Sequence, residues 1–63
     1  MAFSKNLFTL LEKTGTSDYR LGKILHVHPT TVRNWKVGRS VPSADKVKEV
    51  ARYFGKTVDD LLN

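Results

Sequence analysis

Cysteine is absent from the 63 residues, so neither a disulfide nor a thiolate metal ligand is available. That absence agrees with a reducing compartment. No apolar run approaches the ~20 residues that a membrane-spanning helix needs. The N-terminus, MAFSKNLFTLLEK, lacks the basic start, long apolar stretch and small-residue cleavage site of a secretory signal. The expectation is a soluble, cytoplasmic protein. Proline occurs only twice, at Pro29 and Pro42, so most of the chain is open to helix. Acid is missing from the middle of the chain. No Asp or Glu lies between Asp18 and Asp45, a gap that holds Arg20, Lys23, Arg33, Lys36 and Arg39 together with His26 and His28. Of the 11 Lys and Arg, five lie in the gap, and the other six balance the six acids outside it, so the middle carries the whole net charge of +5. A charge asymmetry of this kind points to a polyanionic partner.

What is present reads as helix throughout. Phe3, Leu7, Leu10 and Leu11 recur at helical spacing, with Phe8 at the edge of the stripe, and predict a helix over 3–14 that Gly15 stops. Ser17 or Thr16 caps a second helix, Asp18 suits its positive first turn, and Leu21, Ile24 and Leu25 form its inner face. His28 stands at an N-cap position and Pro29 at the first helical position of a third helix over 29–37, with Val32 and Trp35 facing inward. Ser43 caps a fourth helix whose stripe is Ala44, Val47, Val50, Ala51 and Phe54, ended by Gly55. Thr57 with Asp60 three residues on forms a capping box for a last short helix carrying Val58, Leu61 and Leu62. There is no strand alternation, repeat or linker. The expected fold is all-α, five helices in a single domain over 1–63.

Helix 17–25, a turn of about three residues, then helix 29–37 has the spacing of a helix-turn-helix. Gly22 provides the small residue wanted where the two helices cross. The stretch "VHPTTVRNWKVGRSVPS", together with the ending "ARYFGKTVDDLLN", resembles the DNA-binding domain of the Cro and phage-repressor family, from about Leu7 to Leu62. The resemblance implies a compact lambda-repressor-like domain and no cofactor, with the outer face of helix 29–37 in the DNA major groove. It assigns base readout to Pro29, Thr30 and Asn34, with Arg33 and Thr31 on the same outer side beside them. It assigns phosphate contacts to Arg39 and Ser40 in the loop and to Ser17 and Lys23 on the second helix. Lys36 and His28, at the two ends of helix 29–37, are further phosphate candidates. The chain departs from the family pattern at four positions. His26 replaces the turn glycine and so calls for a positive φ. Gly22 replaces alanine, a change expected to loosen the helix. Lys36 replaces a glutamate after the tryptophan. Asp18 stands where the family often has a phosphate-touching glutamine.

Other readings fit less well. His26 and His28 form an H-x-H pair, but a zinc site needs about four ligands and no further His or any Cys exists. Trp35 shares the inward spacing of Val32, which makes it core rather than a base-stacking platform. No nucleophile, base and pocket converge in so short a helical chain, so no catalytic residue is assigned. The apolar stripes serve the core and leave no face for a membrane. RNA's deep major groove excludes a helix, which favours duplex DNA. The expected role is a phage- or prophage-type transcriptional repressor. It would be weakly associated or monomeric when free and would pair on a palindromic operator, with Gly55 to Leu62 as the dimer patch. An antitoxin or adaptor domain that binds a protein partner is the alternative.

Overall fold

Residues 2–63 are described by a computed structural model. They form helices α1 (Phe3–Thr14), α2 (Asp18–Leu25), α3 (Pro29–Lys36), α4 (Ala44–Phe54) and α5 (Val58–Leu62), with no strand among the described residues. Each start has a local cause. The Ser17 hydroxyl accepts a hydrogen bond from the Arg20 N–H at 3.0 Å, and the Ser43 hydroxyl accepts one from the Lys46 N–H at 3.4 Å. His28 Nδ1 accepts from the Thr30 N–H at 3.1 Å, and Pro29 follows it at the first helical position. At α5 the expected box closes in both directions: Asp60 N–H donates to Thr57 Oγ1 at 3.1 Å, and Thr57 N–H donates to Asp60 Oδ2 at 3.0 Å. The Thr57 backbone N–H and then its hydroxyl, with Lys56 nearby, hold the Asp60 carboxyl below its ordinary value.

The helices wrap one core. Phe3, Leu7 and Leu11 of α1 meet Leu21 and Leu25 of α2, Val32 and Trp35 of α3, Val47, Val50 and Ala51 of α4, and Leu61 of α5. Trp35 is buried, with its ring edge-on to Phe3 at a centroid distance of 6.4 Å. Side chains of other helices then close α-helical ends across the fold. Lys46 Nζ donates to the Leu25 carbonyl at 2.8 Å, giving α2's last turn a cationic partner. Asn6 Nδ2 donates to the Leu61 carbonyl at 2.8 Å and so ties α5 to α1.

The turn between α2 and α3 is tightly packed. His26 adopts the left-handed conformation at φ 59°, the positive φ that its family position calls for. Val27 N–H then donates to the Gly22 carbonyl at 2.8 Å. The turn lies so close over α2 that a Cβ at position 22 would stand 2.7 Å from the Val27 carbonyl oxygen. Gly22 is therefore a packing requirement, and the looser helix expected from it is only one side of its effect.

Three expectations shift. The third helix ends at Lys36 rather than 37, because Val37 already leaves the helical conformation at φ −94°, ψ 3°. Ala44 is exposed, since it opens α4 one turn before Val47 reaches the core. Phe8 is 47% exposed and covers the Lys36 ammonium at 5.4 Å instead of the core.

Candidate nucleic-acid interface

The burial of Val32 and Trp35 fixes the rotation of α3 about its axis. Thr30 and Arg33 are then exposed on the opposite side, with Pro29, Thr31 and Asn34 half-buried at its margins. The side chains of Thr30, Arg33 and Asn34 enter no hydrogen bond or ion pair among the described residues. Their donors and acceptors are left for a partner. A helix with its side chains is about 10–12 Å across, and the major groove of B-DNA is about 12 Å wide. Of the five residues expected to read bases, Thr30 and Arg33 stand exposed and Pro29, Thr31 and Asn34 flank them, partly accessible.

The surrounding groups supply donors. A backbone N–H can only donate, so His28 Nδ1 carries a lone pair, and the neutral ring holds its hydrogen on Nε2. His28 is exposed and presents that Nε2–H outward beside the start of α3. Ser17 uses a lone pair for Arg20 and keeps its own hydroxyl hydrogen. Lys23 is exposed, its ammonium 5.6 Å from the centroid of the Tyr19 ring. Arg39 is exposed in the loop after α3, where its backbone N–H donates to the Asn34 carbonyl at 2.9 Å. That bond pins the loop to the end of α3 and leaves the guanidinium outside.

Two expected phosphate groups are otherwise engaged. The Ser40 backbone N–H points to the Asn34 carbonyl at 3.4 Å, a long bond that shares its acceptor with Arg39, so only the Ser40 hydroxyl faces out. Lys36 is bonded to Asp18 Oδ1 at 2.8 Å and lies over the Phe8 ring. Any phosphate contact by Lys36 would have to compete with that pairing, which leaves its side chain only partly exposed. Asp18, which stands where the family often has a phosphate-touching glutamine, is its partner. The two departures from the family pattern carry opposite charges, and that was the signal for their pairing. Lys46 and Asn6 had no comparable signal, because each meets a backbone carbonyl far away in sequence. The segment expected as a dimer patch packs Val58, Leu61 and Leu62 on the core. The exposed large apolar side chains among the described residues are Phe8, Tyr19, Val37, Val41 and Tyr53.

Comparison with known proteins agrees with this geometry. A family profile described as helix-turn-helix matches residues 7–61. An HTH-type transcriptional activator of Enterococcus faecalis, BcrR, is 27% identical over 63 residues, which is all of this chain and 31% of that protein. The chain thus spans about a third of that relative's length. The crystal structure of a transcriptional regulator from Listeria innocua superposes with a TM-score of 0.91 at 29% identity, over 94% of this chain and 55% of that one. With α2, the His26 turn and α3 in the arrangement described, and with the profile spanning nearly the whole sequence, the chain belongs to the helix-turn-helix family of the Cro and phage-repressor type.

Proposed function

We propose that this domain binds duplex DNA in a sequence-specific manner and serves transcription regulation, with α3 in the major groove. The observation that carries the reading is the unpaired polar face of α3, ringed by outward donors at Ser17, His28 and Arg39. Asn34 has the amide to bond adenine and Arg33 the guanidinium to bond guanine O6 and N7. The methyls of Thr30 and Thr31 and the ring of Pro29 suit apolar contact with thymine. Arg39, Ser17, Lys23, His28 and the Ser40 hydroxyl serve the phosphates, which fix register but carry no sequence. One module reads few base pairs, so two copies bind half-sites about 34 Å apart on a palindromic operator and separate in its absence. The finer expectation of a phage- or prophage-type repressor rests on the family resemblance alone, and BcrR carries the name of an activator.

Selection of binding sites from random duplex DNA tests the proposal. A palindromic motif is the expected result, and recovery of no motif overturns sequence-specific binding. Asn34→Ala should relax preference at one base pair by ~1–3 kcal/mol. Arg39→Ala should weaken binding to all sequences alike and flatten the salt slope by about one unit. A change of preferred sequence in the Arg39 variant would remove it from the phosphate set.

A further inference from the structure

Asp18 and Lys36 lie 18 positions apart, and each runs against the family pattern. In the fold they meet at 2.8 Å, with both side chains largely covered. Each charge also suits its own helix. The Asp18 carboxylate sits in the first turn of α2, at the positive end of that helix, and the Lys36 ammonium sits in the last turn of α3, at the negative end. The Phe8 ring lies 5.4 Å from the ammonium and gives it a second partner. A glutamate at 36 would instead oppose both Asp18 and the α3 dipole. The two departures are one feature.

We infer that Lys36 is a positioning and masking residue for DNA binding: it neutralises the Asp18 carboxylate and clamps the end of α3 to the start of α2. Under the proposed function, on which this rests, α2's first turn faces a phosphate. Its leading N–H groups have no partner within the helix and attract an anion, whereas a free carboxylate beside them repels one. With Lys36 in place, the turn presents the Asp18 and Tyr19 N–H groups and the Ser17 hydroxyl hydrogen to the phosphate without an opposing charge. Lys36 touches no DNA and acts through Asp18.

The test is a double-mutant cycle of Lys36→Met and Asp18→Asn, read on a generic random-sequence duplex in low-salt buffer and separately by thermal unfolding. Lys36→Met alone uncovers Asp18 and should weaken binding by roughly fivefold, the scale of one like-charge contact in water. The double variant has the net charge of the parent and should bind within about twofold of it, with a parental salt slope. In unfolding, the double variant should lose less than the sum of the two single losses. If the Lys36→Met loss persists undiminished beside Asp18→Asn, with the salt slope lowered by about one, Lys36 contacts phosphate directly and the inference falls. It falls equally if Lys36→Met binds like the parent. Failure of the parent chain to bind any duplex overturns the proposed function and the masking role with it. The clamp between α3 and α2 then stands or falls on the unfolding cycle.

Discussion

A methyl at position 22 would meet the Val27 carbonyl oxygen at 2.7 Å and the Pro29 nitrogen at 3.3 Å, both of them backbone atoms. Helix propensity favours alanine over glycine by about 0.5–1 kcal/mol. Forcing the turn outward costs about 1–3 kcal/mol, the range seen for overpacking. The clash outweighs the propensity gain over most of that range, so Gly22→Ala should lower stability, by up to about 2.5 kcal/mol, in denaturant unfolding. A stabilised variant would show that the turn yields freely. Four residues on, His26 bears a left-handed φ of 59°. A glycine there removes a strain of about 1 kcal/mol and is expected to raise stability by about 0.5–1 kcal/mol, offset in part by its greater unfolded-state freedom. Unchanged or lower stability on His26→Gly would mean that the imidazole makes up for its own backbone strain.

The helix starts and stops were legible because each is decided within a few residues. Ser17, His28, Ser43 and Thr57 cap the helices they were expected to cap, and the 3.6-residue period placed Leu7, Leu11, Val32, Trp35, Val47 and Val50 inward. The stripes overreached at their ends, at Phe8 and Ala44, because periodicity gives a direction and not the point where two helices part. The capping box of α5 carries a pH signature. The carboxyl of Asp60 is held below its ordinary value, chiefly by the Thr57 N–H. Its stabilising contribution is complete above the ordinary carboxylate range and is lost as pH falls through the lowered value. The thermal midpoint should therefore drop on acidification, and an Asp60→Asn variant should show a flatter profile over the same window. A carboxyl titration of Asp60 at or above the ordinary value, measured by NMR, would remove the box as its cause.

At the scale of the molecule, five short helices depend on one another, since α5 and α3 are too short to persist alone in water. Trp35 joins α3 to α1 through Phe3, and Trp35→Ala should cost ~3–5 kcal/mol. A core of this size supplies about that much in total, so the variant should lose its cooperative melt. A melt close to the parental one would show that α3 is held by other means. The ties that remained hidden in the sequence belong to this scale. The Asp18–Lys36 pair, the Lys46 ammonium on the Leu25 carbonyl and the Asn6 amide on the Leu61 carbonyl all join residues far apart in the chain. No local rule reaches across that distance, although the two departures at 18 and 36 carried a trace of it. The outer side of α3 was legible, because the burial of Val32 and Trp35 leaves only one side of that helix outward. Which cations stay free was less so, because surface charge alone does not distinguish the exposed Arg39 from the engaged Lys36.

The division of α3 into a buried side and a DNA-reading side is tested most directly by amide NMR of the labelled chain titrated with its selected duplex. The largest shifts should fall on Thr30, Arg33, Asn34, Arg39 and the first turn of α2, while Val58 to Leu62 stay near their free positions. Shifts centred on Tyr53 and α5, with α3 unmoved, would contradict it.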